Sequence, residues 1–485
     1  MIFSKPFVSS ALLCAALCLL FSCSQQSSEP QQPNIIFILA DDLGYGDLSF
    51  LGQKKFTTPN IDKLASEGMV LTQHYAGSTV CAPSRSALLT GYHTGHTAIR
   101  GNISVQPEGQ WPLPEESYTM AEMLKSVGYS TAAFGKWGLG FINSPGDPNK
   151  QGFDYFYGYN SQTLAHNYYP DHLWDNDRKV ILHENNEGMK GQYAPDIIHQ
   201  RALDYIKYQH NNPFFLYYAT PIPHAELITT DLNMKDYEGS YDPEQPYMGV
   251  DYGEEGFRQG PYGSQPMPKA AFAAMIALLD RQVGELVDAL KEEGLDDNTL
   301  IVFTSDNGPH QEGGADPDFF DSNGRYKGYK RDLFEGGIRV PTIIKWPGHI
   351  EAKSNSEHIS AFWDWLPTFA EMTGAELPSI IDGISFLPTL LGQPDQQINH
   401  DYLYWEFHEL GGRQAVRKED YKLIKYHVLD TSQTRTMLFD IKNDPSETND
   451  LSQSKPEIVQ ELSEIMSSAR VPSDVFTFQA ETIIK

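Results

Sequence analysis

The chain has 485 residues, 40% of them hydrophobic and 12% aromatic, and a formal net charge of −28 from 36 Lys+Arg against 64 Asp+Glu. Adding the 39 Gly lifts the apolar share to about 48%, an ordinary globular value; with no Gly or Pro period, this excludes a disordered chain, a collagen and a coiled-coil rod. The acidic balance argues against nucleic acid as the main partner, because phosphate backbones are held by clustered Lys and Arg, and an anionic ligand would need a local cationic pocket.

The chain opens with Lys5 and an unbroken apolar run from Ala11 to Phe21. A bilayer span needs about 20 apolar residues, so the run suits the core of an export signal instead. It ends in Leu20-Phe21-Ser22-Cys23, followed by the polar stretch Ser24 to Pro33. This step resembles a bacterial lipobox. The resemblance implies a signal peptide over 1–22, a lipidated Cys23, a polar linker over 23–33, and a lipoprotein anchored in the periplasm or at the outer membrane and cell surface. An ordinary signal peptide cleaved nearby is the alternative, and export follows from both. Cys14 and Cys18 lie in the removed segment, which leaves Cys81 alone in the folded body with no disulfide framework.

Asn34 to Ala40 (NIIFILA) is a continuous β-branched apolar run, the pattern of a strand buried on both faces. Similar runs recur at Tyr129 to Phe134, Pro213 to Tyr218, Thr299 to Thr304 and Pro341 to Lys345. Between them, helical patterns over Asn60 to Glu67, Met120 to Val127 and Lys269 to Glu293 each end just before a Gly. Alternation of this kind predicts an α/β domain over 34–398, a large, mostly parallel sheet covered by helices on both faces. Asn143 to Tyr193 and Leu227 to Pro268, rich in Tyr, Asn, Gly and Pro, read as long surface insertions. From about Asn399 the texture changes. Short strand-like pieces at Tyr402 to His408, Arg413 to Arg417, Tyr421 to Tyr426 and Thr436 to Ile441, then a helix over Lys455 to Ala469, predict a smaller α+β subdomain with an antiparallel sheet over 399–485.

Ligands of open α/β sheets bind beyond the carboxyl ends of the strands. Just past the predicted strands stand Asp41 and Asp42, Lys136, His224, and Asp306 with Asn307. Three carboxylates and an amide on one rim make a hard oxygen cage suited to Ca²⁺ or Mg²⁺. Zinc is disfavoured, because the strand ends supply no paired His ligands. His93 and His96, in a Gly- and Thr-rich loop, lack a third ligand in register and read as surface or substrate-facing histidines.

Cys81 opens Cys81-Ala82-Pro83-Ser84-Arg85, followed by Leu89-Thr90-Gly91. This C-x-P-S-R pattern with its downstream L-T-G resembles the signature of the type I sulfatases, in the alkaline phosphatase superfamily. Further matches are DDLGYGDL after the first strand, GKWGLG at Gly135 to Gly140, TSDNG at Thr304 to Gly308, the K-x-x-x-x-E-G-G-x-R-V-P pattern from Lys330 to Pro341, and LFDIKNDPSETNDL at Leu438 to Leu451. Together they run from about residue 34 to 452. The resemblance implies an alkaline phosphatase-like fold and a maturation enzyme that oxidises Cys81 to formylglycine. It implies one Ca²⁺ held by Asp41, Asp42, Asp306, Asn307 and residue 81, and hydrolysis of sulfate esters. The hydrated aldehyde offers a hydroxyl nucleophile, and the cation lowers that hydroxyl's pKa. Arg85 and Lys136 would hold the hydrate, Lys136 and Lys330 face sulfate oxygens, and His224 donates a proton to the departing alcohol. With Ca²⁺ these charges leave the site at about +2, an attractor for a monoanion in an acidic protein.

Related sulfatases commonly carry His two residues after the motif Lys, and it is the usual candidate base for restoring the aldehyde. Here that position is Gly138. A water, a His from an insertion (His166, His172 or His310), or slower turnover are the alternatives. Lipoproteins resembling sulfatases often act on sulfated carbohydrates, and Tyr155, Tyr157, Tyr159, Tyr168, Tyr169 and Trp174 offer flat faces suited to sugar stacking. Arg100 and Asn102, with Trp405, His408 and Arg413, are expected to border the pocket; Arg100 and His408 are taken as substrate contacts. Two rivals remain at this stage. One is a two-zinc phosphomonoesterase or phosphodiesterase of the same superfamily, and the other is a non-catalytic surface lipoprotein that captures sulfated glycans.

Overall fold

The computed structural model describes residues 1–3, 32–208 and 212–478. The export signal, Cys23 and nearly all of the polar linker lie outside the described residues. Pro33–Lys485 forms one compact unit, apart from Met1–Gln32.

Ten strands make the central sheet. Its middle consists of Thr299–Ser305, Asn34–Ala40, Phe214–Ala219, Ser130–Lys136 and Tyr155–Tyr159, in that spatial order and all parallel. Thr342–Lys345 runs antiparallel beside Thr299–Ser305, followed by Met69–Leu71 and Ser354–Ser356 at that edge. The opposite edge is a hairpin of His172–Asp175 and Arg178–Ile181. Every residue of Asn34–Ala40 is buried, as its unbroken apolar run demands. Ile36, Ile38 and Ala40 point to one core, with the helices Pro59–Ser66, Ala194–Tyr208 and Pro268–Glu292; Ile35, Phe37 and Leu39 point to the other, with Cys81–Thr90, Met120–Ser126 and Trp365–Thr373.

The first insertion is corrected. Asn143 to Tyr193 supplies three strands of the sheet, not a surface loop. Tyr is a good strand former, and here it fills one core face where loop composition had suggested exposure. Tyr157, Tyr159, Tyr168 and Tyr169 are buried in the core and cannot stack on a sugar. Tyr155 packs against the same core, and the half-buried Trp174 donates its indole N–H to Glu108 at 2.7 Å. Leu227 to Pro268 does remain largely loop, with one short helix at Asp231–Met234.

The four antiparallel strands Leu403–Phe407, Arg413–Lys418, Tyr421–Tyr426 and Arg435–Asp440 form a separate sheet. The helix Pro456–Ser468 covers one face through Leu462 and Met466. Trp405, Ala415, Ile424 and Phe439 on the other face pack on Tyr75, Leu333, Ile338 and Trp363 of the larger part. Lys422 is fully buried at this junction, 2.7 Å from Glu335 and 2.8 Å from Glu447. Removing the shared cation leaves Glu447 buried without an ion-pair partner among the described residues, while Glu335 keeps Arg339 at 3.1 Å. Lys422→Met should therefore cost about 3–5 kcal/mol in urea unfolding, whereas Lys442→Met, at an exposed pair with Asp420, should cost under about 1 kcal/mol.

Candidate active site

Four neighbouring strands of the sheet, in the order Thr299–Ser305, Asn34–Ala40, Phe214–Ala219 and Ser130–Lys136, deliver Asp306 and Asn307, Asp41 and Asp42, His224, and Lys136 to one rim. Asp42 turns the chain at φ +64° and donates its N–H to Asp306 Oδ1 at 3.1 Å. Gly308 follows because the chain passes too close to Gly336 for any side chain: a Cβ there would lie 1.9 Å from the Gly336 carbonyl oxygen.

Cys81 begins the buried helix Cys81–Thr90, which sequence patterning did not show because its face contacts are small and polar residues. Arg85 stands one turn on, so both project from the same face toward the rim. Arg85 donates from Nε and Nη2 to Asp306 Oδ2 at 3.0 and 2.8 Å and from Nη1 to the Lys136 carbonyl. Lys136 Nζ lies 2.6 Å from Asp41 Oδ2 and 3.3 Å from Cys81 Sγ, and the thiol lies 3.4 Å from Asp41 Oδ1. Lys330 Nζ reaches Asp42 Oδ2 at 2.8 Å, His224 Nε2 at 2.9 Å and Glu312 Oε2 at 3.0 Å. All of these side chains except Glu312 are essentially closed to solvent; Cys81 is 2% and Lys136 1% exposed.

The electrostatics follow from this crowding. Burial pushes Asp41 up, but the charges of Lys136, Arg85 and Lys330 outweigh it and hold the carboxyl well below its usual range. Asp306 goes the other way, raised by burial and then by the charge of Asp41. Burial, then Asp41, pushes the Cys81 thiol far up, so an unmodified Cys81 is a poor nucleophile. His224 is held neutral by burial and by the Lys330 charge. Its Nδ1–H donates to the Ala225 carbonyl, which leaves Nε2 as the acceptor for Lys330.

A hard divalent cation fits these donors. The acidic groups Asp41, Asp42 and Asp306 converge on one place, and Asn307 Oδ1 is buried there without a hydrogen-bond partner while its Nδ2 donates to Asp42 at 2.7 Å. A buried amide oxygen beside three carboxylates is a ready cation ligand. Asp41, Asp42, Cys81 and His224 can each place a ligand atom within 4.8 Å of the others. The set is oxygen-rich, with one His, and does not resemble a pair of zinc sites.

Glu312 was missing from the sequence reading. It binds Lys330, Arg331 and the Tyr262 hydroxyl, and its carboxyl is held far below the ordinary range: burial raises it, but the charges of Lys330 and Arg331 outweigh that. It follows the TSDNG turn by four residues with no local pattern to mark it. His166 and His310 stack on the two sides of His224, with centroids 5.1 and 5.5 Å away. Both nitrogens of His310 are engaged, by the Pro223 carbonyl and the Glu312 N–H, and both of His172, by Glu108 and Asp171. His166 gives Nδ1–H to the Gly260 carbonyl and keeps Nε2 open, and burial, then Lys136, lowers its pKa to about 4.

Other expected contacts lie elsewhere. Arg100 and His408 converge on buried Glu406, each at 3.0 Å, and are held there. Trp405 is core and donates to the Ala76 carbonyl, while Arg413 pairs with Asp332 at 2.6 Å. Asn102 is close to the nucleophile position, accepting the Ala82 N–H at 3.1 Å. His93 is buried, not surface or substrate-facing, and Asp382 is the partner the sequence did not reveal: its carboxylate lies 2.8 Å from His96 Nδ1 and 3.6 Å from His93 Nε2. Because His93 Nδ1 accepts the Gly95 N–H, its proton sits on Nε2 toward Asp382, so this cluster offers a metal no lone pair from His93.

Comparison with known proteins identifies the family. The sulfatase family profile matches residues 33–375, and that of the N-sulphoglucosamine sulphohydrolase C-terminal region matches 324–471. Human arylsulfatase A is 30% identical over 479 residues, covering 89% of this chain and 87% of that protein. The N-acetylgalactosamine-6-sulfatase of Rattus norvegicus is 31% identical over 392 residues, 75% of this chain; the match spans 66% of that relative's length. Among solved structures, Ps i-CgsB in complex with k-i-k-neocarrahexaose superposes with a TM-score of 0.73 at 30% identity, covering 90% of this chain and 92% of that one. Matched by the sulfatase profile over residues 33–375 and by arylsulfatase A along most of its length, the chain belongs to the sulfatase family.

Proposed function

We propose that this protein hydrolyses sulfate esters of a carbohydrate, acting on chain ends, with residue 81 matured to formylglycine and one Ca²⁺ held by Asp41, Asp42, Asp306, Asn307 and residue 81. The observation that carries this reading is the contact of Cys81 with both Asp41 and Lys136 at the centre of a buried acidic and cationic cluster. The matured side chain supplies a hydroxyl nucleophile, and the cation, when bound, stabilises negative charge on the sulfuryl oxygens.

The chain's own residues do the rest. Four carboxylates, counting Glu312, are balanced by Arg85, Lys136, Lys330 and Arg331, so a divalent cation turns a neutral site into one that attracts a monoanion. Lys136 and Lys330 now donate to Asp41 and Asp42; with those carboxylates committed to a cation, both ammonium groups turn to the sulfate oxygens. His224 Nε2, paired with Lys330 at 2.9 Å, holds the proton that goes to the departing alcohol once an anion raises its pKa. His166 Nε2 takes up the proton released in turnover, the role left open by Gly138.

The carbohydrate is suggested by what the similar proteins' names state: a complex with k-i-k-neocarrahexaose and an N-acetylgalactosamine-6-sulfatase. The lipid-anchored, exported state rests on Lys5, the apolar run and Cys23. Expressed in a bacterial host, the protein should partition with membranes and take up a fatty-acid label that Cys23→Ala abolishes; a soluble, unlabelled product contradicts the anchor.

Protein co-expressed with a formylglycine-generating enzyme should lose one thiol at Cys81 and gain an aldehyde by peptide mass spectrometry. It should release sulfate from sulfated oligosaccharides over many turnovers, stop when stripped by a chelator, and recover with Ca²⁺ but not Zn²⁺. Cys81→Ala should lower kcat by at least about 10³-fold. Binding without release, or activity that requires two zinc ions, contradicts the proposal.

A further inference from the structure

Gly138 adopts φ +75°, and a Cβ built on it would lie 2.2 Å from Gln162 Nε2 and 3.0 Å from Gln162 Cδ. The Gln162 carboxamide therefore occupies the space that any side chain at 138 would need. Backbone pairing fixes this juxtaposition. Trp137 donates its N–H to the Tyr159 carbonyl at 2.9 Å and Gly138 to the Asn160 carbonyl at 3.2 Å. The segment carrying Gln162 is thus tied to the strand end that carries Lys136, and four residues later it presents His166 to His224. Gln162 is 6% exposed, and neither Oε1 nor Nε2 has a hydrogen-bond partner among the described residues. Burying both ends of an amide unpaired is costly, and such groups persist where a ligand completes them. Asn307 Oδ1 stands in the same condition on the cation side of the cluster.

We infer that Gln162 is a sulfate-binding residue. Its Nε2–H donates to an oxygen of the sulfuryl group held by Lys136 and Lys330, and Oε1 accepts an O–H from matured residue 81 or a bound water. The carboxamide adds a donor to the anion pocket without adding charge, from the place a residue at 138 would occupy. The inference rests on the sulfate-ester reading above and assigns one residue within it.

The test uses full-length protein with Ca²⁺ in two forms, unmodified at Cys81 and matured. Inorganic sulfate binding to the unmodified form, measured by isothermal titration, should weaken about tenfold in Gln162→Leu, the worth of one hydrogen bond to a charged group, and further in Gln162→Glu, which places an anion there. In the matured form kcat/KM should fall by the same factor, about tenfold, on an aryl sulfate and on a sulfated sugar. Because the free protein carries the amide unpaired, Gln162→Leu should raise Tm or leave it unchanged; a residue needed only for packing would lower it. Unchanged sulfate affinity in both variants overturns the inference. A loss confined to the sugar substrate also overturns it and assigns the amide to a sugar hydroxyl. A wild-type matured enzyme that releases no sulfate from either substrate counts against the sulfate-ester reading itself, whereas full wild-type turnover with unaltered variants counts against Gln162 alone.

Discussion

The arrangement depends on three buried carboxylates, Asp41, Asp42 and Asp306, forced together at adjacent strand ends. The two strands that carry them are hydrogen-bonded neighbours, so Asp42 N–H and Asp306 Oδ1 meet at 3.1 Å and the acids cannot separate. Leaving such charges dry and unpaired would cost several kcal/mol each. The protein compensates with Arg85 on Asp306, Lys136 on Asp41 and Lys330 on Asp42. Each of these cations comes from a different part of the chain, and each thereby arrives within reach of residue 81 or of His224. The electrostatic debt of the carboxylates is what assembles the rest of the site.

The same constraint explains the thiol. A Cys surrounded by Asp41 and low-dielectric packing is held protonated even with Lys136 at 3.3 Å. Cysteine-based attack is unfavourable here, so reactivity at this position requires different chemistry of the side chain. The high burial of the cluster also means that, in a chain of −28 net, the local balance and not the surface sets the potential felt at the rim.

Much of this was legible in the sequence. NIIFILA and TLIVFTS could only be strands covered on both faces, and in such sheets the residues just beyond them form the site. Asp41, Asp42, Lys136, His224, Asp306 and Asn307 were found in this way. Two kinds of feature were not legible. Contacts set by tertiary approach, such as Asp382 on His96, Glu312 on Lys330 and Gln162 on Gly138, join residues 286, 18 and 24 positions apart with no shared local pattern. Composition also misled where Tyr-rich segments looked like loops; aromatic residues suit both an exposed insertion and a buried edge strand, and only packing decides. Arg100 and His408 failed for a related reason, since a buried acid, Glu406, claimed both.

The most direct measurement is anomalous diffraction from crystals of the matured protein grown with Ca²⁺ and sulfate. The account predicts one strong peak bounded by Asp41, Asp42, Asp306 and Asn307, with the Lys136 and Lys330 ammonium groups moved from the carboxylates onto the sulfate. A peak elsewhere, two metal peaks, or lysines still bound to Asp41 and Asp42 beside a bound sulfate would contradict it.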